Sequence, residues 1–76
     1  MTPAQCRAAR ALIGMSHADL ARVAVVTVTI VADFEIGVGG TRPSDVAAIQ
    51  AALEKAGVEF IDGDRPGVRF SRPQML

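Results

Sequence analysis

Val25-Val26-Thr27-Val28-Thr29-Ile30-Val31 is the stretch on which the fold turns, because two physical signals in it disagree. Every residue in it is β-branched, and branching at Cβ suits a pleated sheet, so propensity alone reads a strand. Yet Thr27 can cap a helix, Ala32-Asp33-Phe34-Glu35 continues one, and Gly37 can end it in the left-handed conformation. A third helix from about Val28 to Ile36 is therefore allowed beside the strand. Propensity is a weak prior, and the neighbouring segments bear on the choice.

Upstream, Thr2-Pro3-Ala4-Gln5 combines a capping hydroxyl, a proline at the first helical position and a glutamine three residues after the cap. This predicts a first helix running to about Ile13 and stopping at Gly14. Ser16-His17-Ala18-Asp19 repeats the pattern of hydroxyl and later acid. Leu20, Ala21 and Ala24 supply the apolar face of a short second helix ending near Ala24.

Downstream, Gly37-Val38-Gly39-Gly40-Thr41-Arg42-Pro43 reads as a glycine-rich loop. Pro43 or Ser44 opens a fourth helix, whose apolar Val46, Ala47, Ile49, Leu53 and Ala56 keep helical spacing until Gly57. Val58-Glu59-Phe60-Ile61 and Val68-Arg69-Phe70 alternate on either side of Asp62-Gly63-Asp64-Arg65-Pro66-Gly67, the pattern of a β-hairpin. Residues 1–57 are thus expected as a helical domain, 58–70 as its hairpin extension and 71–76 as a flexible tail.

Composition narrows the function. A chain of 76 residues makes one small domain, which buries only about 60% of its unfolded surface. Three phenylalanines are its only aromatic residues. The core must therefore be aliphatic, and base-stacking nucleic-acid platforms are disfavoured. Eight acidic residues offset eight basic ones, and the latter are scattered from Arg7 to Arg72 rather than gathered into a phosphate-binding patch. The single cysteine, Cys6, reads as a small core residue. No charged segment leads into an apolar leader, and no apolar run approaches the roughly 20 residues of a membrane helix, so a cytoplasmic location is expected.

The run from Arg7 to Phe60, RAARALIGMSHADLARVAVVTVTIVADFEIG followed by RPSDVAAIQAALEKAGVEF, closely resembles the phage-repressor-like or xenobiotic-response-element (XRE) family of helix-turn-helix regulators. The resemblance implies a mainly α, lambda-repressor-like domain of four to five helices with the third helix set to read DNA. Against that family's pattern, His17 stands where a phosphate-bracing glutamine is usual, and Val25 where a glycine makes the turn. Thr27 keeps the usual hydroxyl, but Val28, Thr29, Ile30, Ala32 and Asp33 occupy base-facing positions usually held by arginine, glutamine, asparagine or serine. Ile36 replaces an arginine before the closing glycine.

Base edges are read by donors and acceptors, Arg to guanine and Asn or Gln to adenine above all, whereas valine and isoleucine reach only a thymine methyl. Asp33 can accept from cytosine but would face phosphate repulsion. The expected third-helix surface is instead apolar, with Val25, Val28, Ile30, Ile36 and Val38 exposed and Asp33 among them, the Val31 and Phe34 side turned to the core. Such a surface suits protein binding, with Arg22, Asp33 and Arg42 at its rim. The valine-rich helix also resembles that of the small antiactivators by which rhizobial symbiosis islands restrain quorum sensing. That resemblance implies a LuxR-like transcriptional activator as partner.

The alternative is an XRE-type DNA-binding repressor using His17, Thr27, Thr29, Asp33 and Arg42. DNA binding that is weak or absent is the main expectation. No acid, base or nucleophile constellation is present, so the chain is read as no enzyme, and no cofactor or metal is expected. Asp62 and Asp64 read as turn residues, and the hairpin edge offers a route to a homodimer by strand pairing.

Overall fold

Thr27 resolves the ambiguity of the valine-rich stretch. In the computed structural model, which describes residues 1–71, its backbone is extended and its hydroxyl accepts the N–H of Ile30 at 3.2 Å. The chain enters a helix at the next residue. Residues 72–76, and with them nearly all of the expected tail, lie outside the described residues.

Four helices and a hairpin follow in order: α1 Pro3–Ile13, α2 His17–Ala24, α3 Val28–Ile36, α4 Pro43–Lys55, β1 Val58–Ile61 and β2 Gly67–Phe70. Among the described residues sheet pairing occurs only between β1 and β2, so a strand at 25–31 would have no partner there for its backbone groups. As a helix the same residues bury Val31 completely and pack Ile30 and Phe34 against the core. Helix propensity for valine and threonine is lower than alanine's by only about 0.5 kcal/mol per residue, less than such burial supplies. Gly37 closes α3 in the left-handed conformation, its N–H directed to the carbonyls of Asp33 and Phe34.

Both expected capping boxes form. Thr2 and Gln5 cap α1 reciprocally, and Ser16 and Asp19 do the same for α2. Gln5 does more than cap: its Nε2 donates to the carbonyls of Ile61 at 3.0 Å and Gly67 at 3.1 Å, tying α1 to both strands of the hairpin. α4 opens at Pro43 after Arg42, which makes no side-chain cap.

Cys6, Ala9, Leu20, Ala24, Val31, Ile49, Leu53 and Val58 form one aliphatic core drawn from all four helices and β1. The hairpin pairs antiparallel with Val58 opposite Phe70 and Phe60 opposite Val68. It packs on α1 and α4, with Val58, Phe60 and Val68 turned inward and the Glu59–Arg69 ion pair, 2.9 Å at closest, on the exposed side. No helix among the described residues is long and apolar enough to cross a membrane.

Between α2 and α3 the chain turns at Val25, whose φ of 60° makes it the one non-glycine residue with positive φ among the described residues. A β-branched side chain there crowds its own carbonyl, at a cost of about 1–2 kcal/mol.

Candidate functional site

The outer surface of α3 is set by helical geometry. Val31 and Glu35, four residues apart, are buried. Val28, Ala32 and Ile36, at i, i+4 and i+8, line one flank of the helix, while Thr29 and Asp33 stand beside them in solvent. Val28 is 46% exposed and Ile36 72%, with Val25 before the helix at 87% and Val38 after it at 65%. Large apolar side chains are thus held outward at both ends of α3.

Ile30 departs from the expected arrangement. It lies on the opposite flank, half-buried against the core, where it joins two adjoining surface grooves between α3 and the start of α4. One groove brings Ile30 together with Ala21, Val25 and Val26; the other leads past Asp33 to Gly39 and Gly40. Arg42 and Asp45 line both. The expected continuous strip from Val25 to Val38 is therefore divided: Val28 and Ile36 share a flank, and Val25 belongs to a groove with Ile30.

Both arginines beside this surface already have partners. Arg22 pairs with Asp19 at 3.0 Å and Arg42 with Asp45 at 3.2 Å, each across three residues. The backbone N–H and hydroxyl of Ser16, and then Arg22, hold the Asp19 carboxyl below its usual range. Of the remaining DNA-reading candidates, Thr27 and His17 are engaged and Asp33 is acidic, while Thr29 is exposed. Thr27 spends its hydroxyl on capping, His17 is half-buried, and Thr29 and Asp33 stay exposed. A phosphate approaching Arg22 or Arg42 would meet a carboxylate beside each cation, although both arginines are largely exposed and such pairs are weak.

Behind the exposed face lies Glu35, which the sequence reading left unassigned. Its side chain is 2% exposed. Arg10 grips it from α1 with two bonds, Nε to Oε2 at 2.6 Å and Nη2 to Oε1 at 2.8 Å. The Cys6 thiol donates to Oε2 at 3.1 Å, and His17 Nε2 lies 3.1 Å from Oε1. Arg7 donates to the Glu35 carbonyl, and Arg10 also reaches the Met15 carbonyl. Burial pushes the Glu35 carboxyl upward, but the bonds from Arg10, Cys6 and His17 prevail and hold it at about 2. Burial and the adjacent Glu35 raise the Cys6 thiol to about 12, which makes it an unreactive core residue.

A signal for Glu35 was present. Val31 was assigned to the core, and a residue four further on shares its face; Arg7 and Arg10, one turn apart on α1, offer the matching charge. The network fixes α3 against α1 and the start of α2, so the outer residues of α3 project from a rigid base. The arrangement can bury apolar side chains of a binding partner. No family model matches the chain, and no curated protein is similar to it.

Proposed function

We propose that the chain is a helix-turn-helix regulator of transcription that acts by binding another protein: an antiactivator that occludes a transcriptional activator of the LuxR-like quorum-sensing type. One observation carries this reading. α3 holds Val28 and Ile36 in solvent, while each arginine at its rim has an acid three residues away within ion-pair distance. Exposed aliphatic side chains favour contact with another apolar surface, at roughly 25 cal/mol per Å2 of apolar area removed from water, before association costs. A DNA reader needs the reverse, free cations around hydrogen-bonding side chains. The LuxR-like target rests on the resemblance of the valine-rich third helix alone.

Val28→Asp tests it. Position 28 is the first residue of α3, where a carboxylate suits the helix dipole, so the fold is expected to hold within about 0.5 kcal/mol. In an apolar interface the same carboxylate would be desolvated without a partner, weakening binding by at least about 100-fold. Titration against a purified LuxR-like activator, beside selection from a random DNA duplex library, separates the readings. Activator binding lost in Val28→Asp supports the proposal. A defined DNA site bound with steep salt dependence, and no activator binding, replaces it with a DNA-binding repressor.

A further inference from the structure

Among the described residues three helices end in a left-handed residue, and the chain treats them differently. α1 and α3 end at Gly14 and Gly37, which adopt φ of 71° and 76° without a side chain to crowd. α2 ends at Val25, with φ of 60° and ψ of 46°, where glycine would serve the turn better. The side chain gives the core almost nothing in return, being 87% exposed. What it does is line the groove, together with Val26, Ile30 and the Arg42–Asp45 pair.

Charge describes the occupant. Four charged residues line the two adjoining grooves: Arg22, Arg42, Asp45 and Asp33. The arginines pair with Asp19 and Asp45, and Asp33 is the one lining charge without an ion pair among the described residues. A complementary surface therefore brings an apolar side chain to Val25 and a cation to Asp33.

We propose that Val25 is the anchor of the binding surface, kept in a strained conformation so that the groove between α3 and α4 can hold an apolar segment of the partner protein bearing a lysine or arginine opposite Asp33. This deepens, and rests on, the protein-binding function proposed above.

The proposal makes stability and binding move in opposite directions. Val25→Gly relieves the strain but loosens the unfolded chain, and the balance is expected to raise the Tm by about 2–6 °C, while losing the anchor weakens binding about 10- to 100-fold. Val25→Asn, which also tolerates the left-handed region, should keep at least the wild-type Tm and lose binding as well. Asp33→Lys should weaken binding about 10-fold or more without lowering the Tm. The experiment is a thermal melt of each variant beside titration against the purified LuxR-like activator, with Val28→Asp included and the mass of the free protein measured by light scattering.

A higher Tm with weaker binding in Val25→Gly, together with the loss in Asp33→Lys, supports the anchor. Binding that Val28→Asp abolishes but Val25→Gly leaves intact overturns the anchor alone. No activator binding by the unaltered chain overturns the functional reading and this inference with it. A dimer that Val25→Gly dissolves names a second copy as the occupant and overturns the assignment to a partner. A lower Tm in both Val25→Gly and Val25→Asn shows that the turn is unstrained and overturns the anchor.

Discussion

Replacing Glu35 with glutamine tests the claim that α3 is held from behind by a buried charge. The side chain keeps its shape but loses its charge and turns one acceptor oxygen into an NH2 donor among the donors Arg10 and Cys6, so the change removes the ion pair together with a hydrogen bond. The carboxyl sits at about 2 against an ordinary 4.5, and a displacement of that size corresponds to about 3 kcal/mol of stability at neutral pH. A chain of this length has about 4–11 kcal/mol in all. Glu35→Gln should therefore remain folded but lose about 3 kcal/mol, lowering the urea midpoint by about 3 M for a slope near 1 kcal/mol/M. The pH dependence carries the sharper signature. Because the folded state binds this proton less tightly than the unfolded chain, the contribution is complete above pH 4.5 and disappears as the pH falls toward 2. Wild type and Glu35→Gln should thus differ by about 3 kcal/mol at pH 7 and converge near pH 2, the other carboxylates cancelling in the comparison. Urea melts followed by far-UV circular dichroism at pH 7, 4 and 2.5 measure it. A gap below about 1 kcal/mol at pH 7, or one that does not narrow in acid, would refute the assignment.

Two further predictions concern the hairpin. Gln5→Ala removes the cap on Thr2 and both bonds to the Ile61 and Gly67 carbonyls; it should cost about 1–3 kcal/mol, with hydrogen exchange of the β1 and β2 amides accelerating more than that of α4. Arg69→Gln breaks an exposed cross-strand pair with Glu59 and should leave the urea midpoint essentially unchanged, any small difference being erased by about 0.5 M salt.

The elements were legible because their ends carry local chemistry. Thr2 with Gln5, Ser16 with Asp19, and Gly14 and Gly37 act within a few residues of themselves, so sequence is enough to place them. The 25–31 stretch was undecidable from its own residues, because what makes it helical is the burial of Val31 against helices far along the chain. Long-range pairs escaped for the same reason. Gln5 was read as a cap, and its amide also spans to the hairpin 56 and 62 residues away. Glu35 was left without a role because its partner Arg10 lies 25 residues earlier in the chain. Ile30 was placed outside because apolar residues on a short helix do not state which flank each neighbour covers.

Glu35 and Val25 bear on one question from opposite sides. A buried ion pair is weak evidence for stability, since apolar residues of similar volume often serve as well, but it tolerates one geometry where an oily contact tolerates several. Here the pair locks α3 to α1, and with His17 to the start of α2, leaving the outer flank and the Val25 turn in a single orientation. A binding surface of a few aliphatic side chains gains from that, because apolar contact is non-directional and must borrow its specificity from a rigid support. Strain at Val25 is sustainable for the same reason: caps on both neighbouring helices and the Val26 N–H bond to the Ala21 carbonyl at 3.0 Å determine the turn. If Glu35→Gln weakens activator binding at temperatures where the fold is intact, the support and the surface are coupled; unchanged affinity would mean that the outer residues of α3 act as independent contacts.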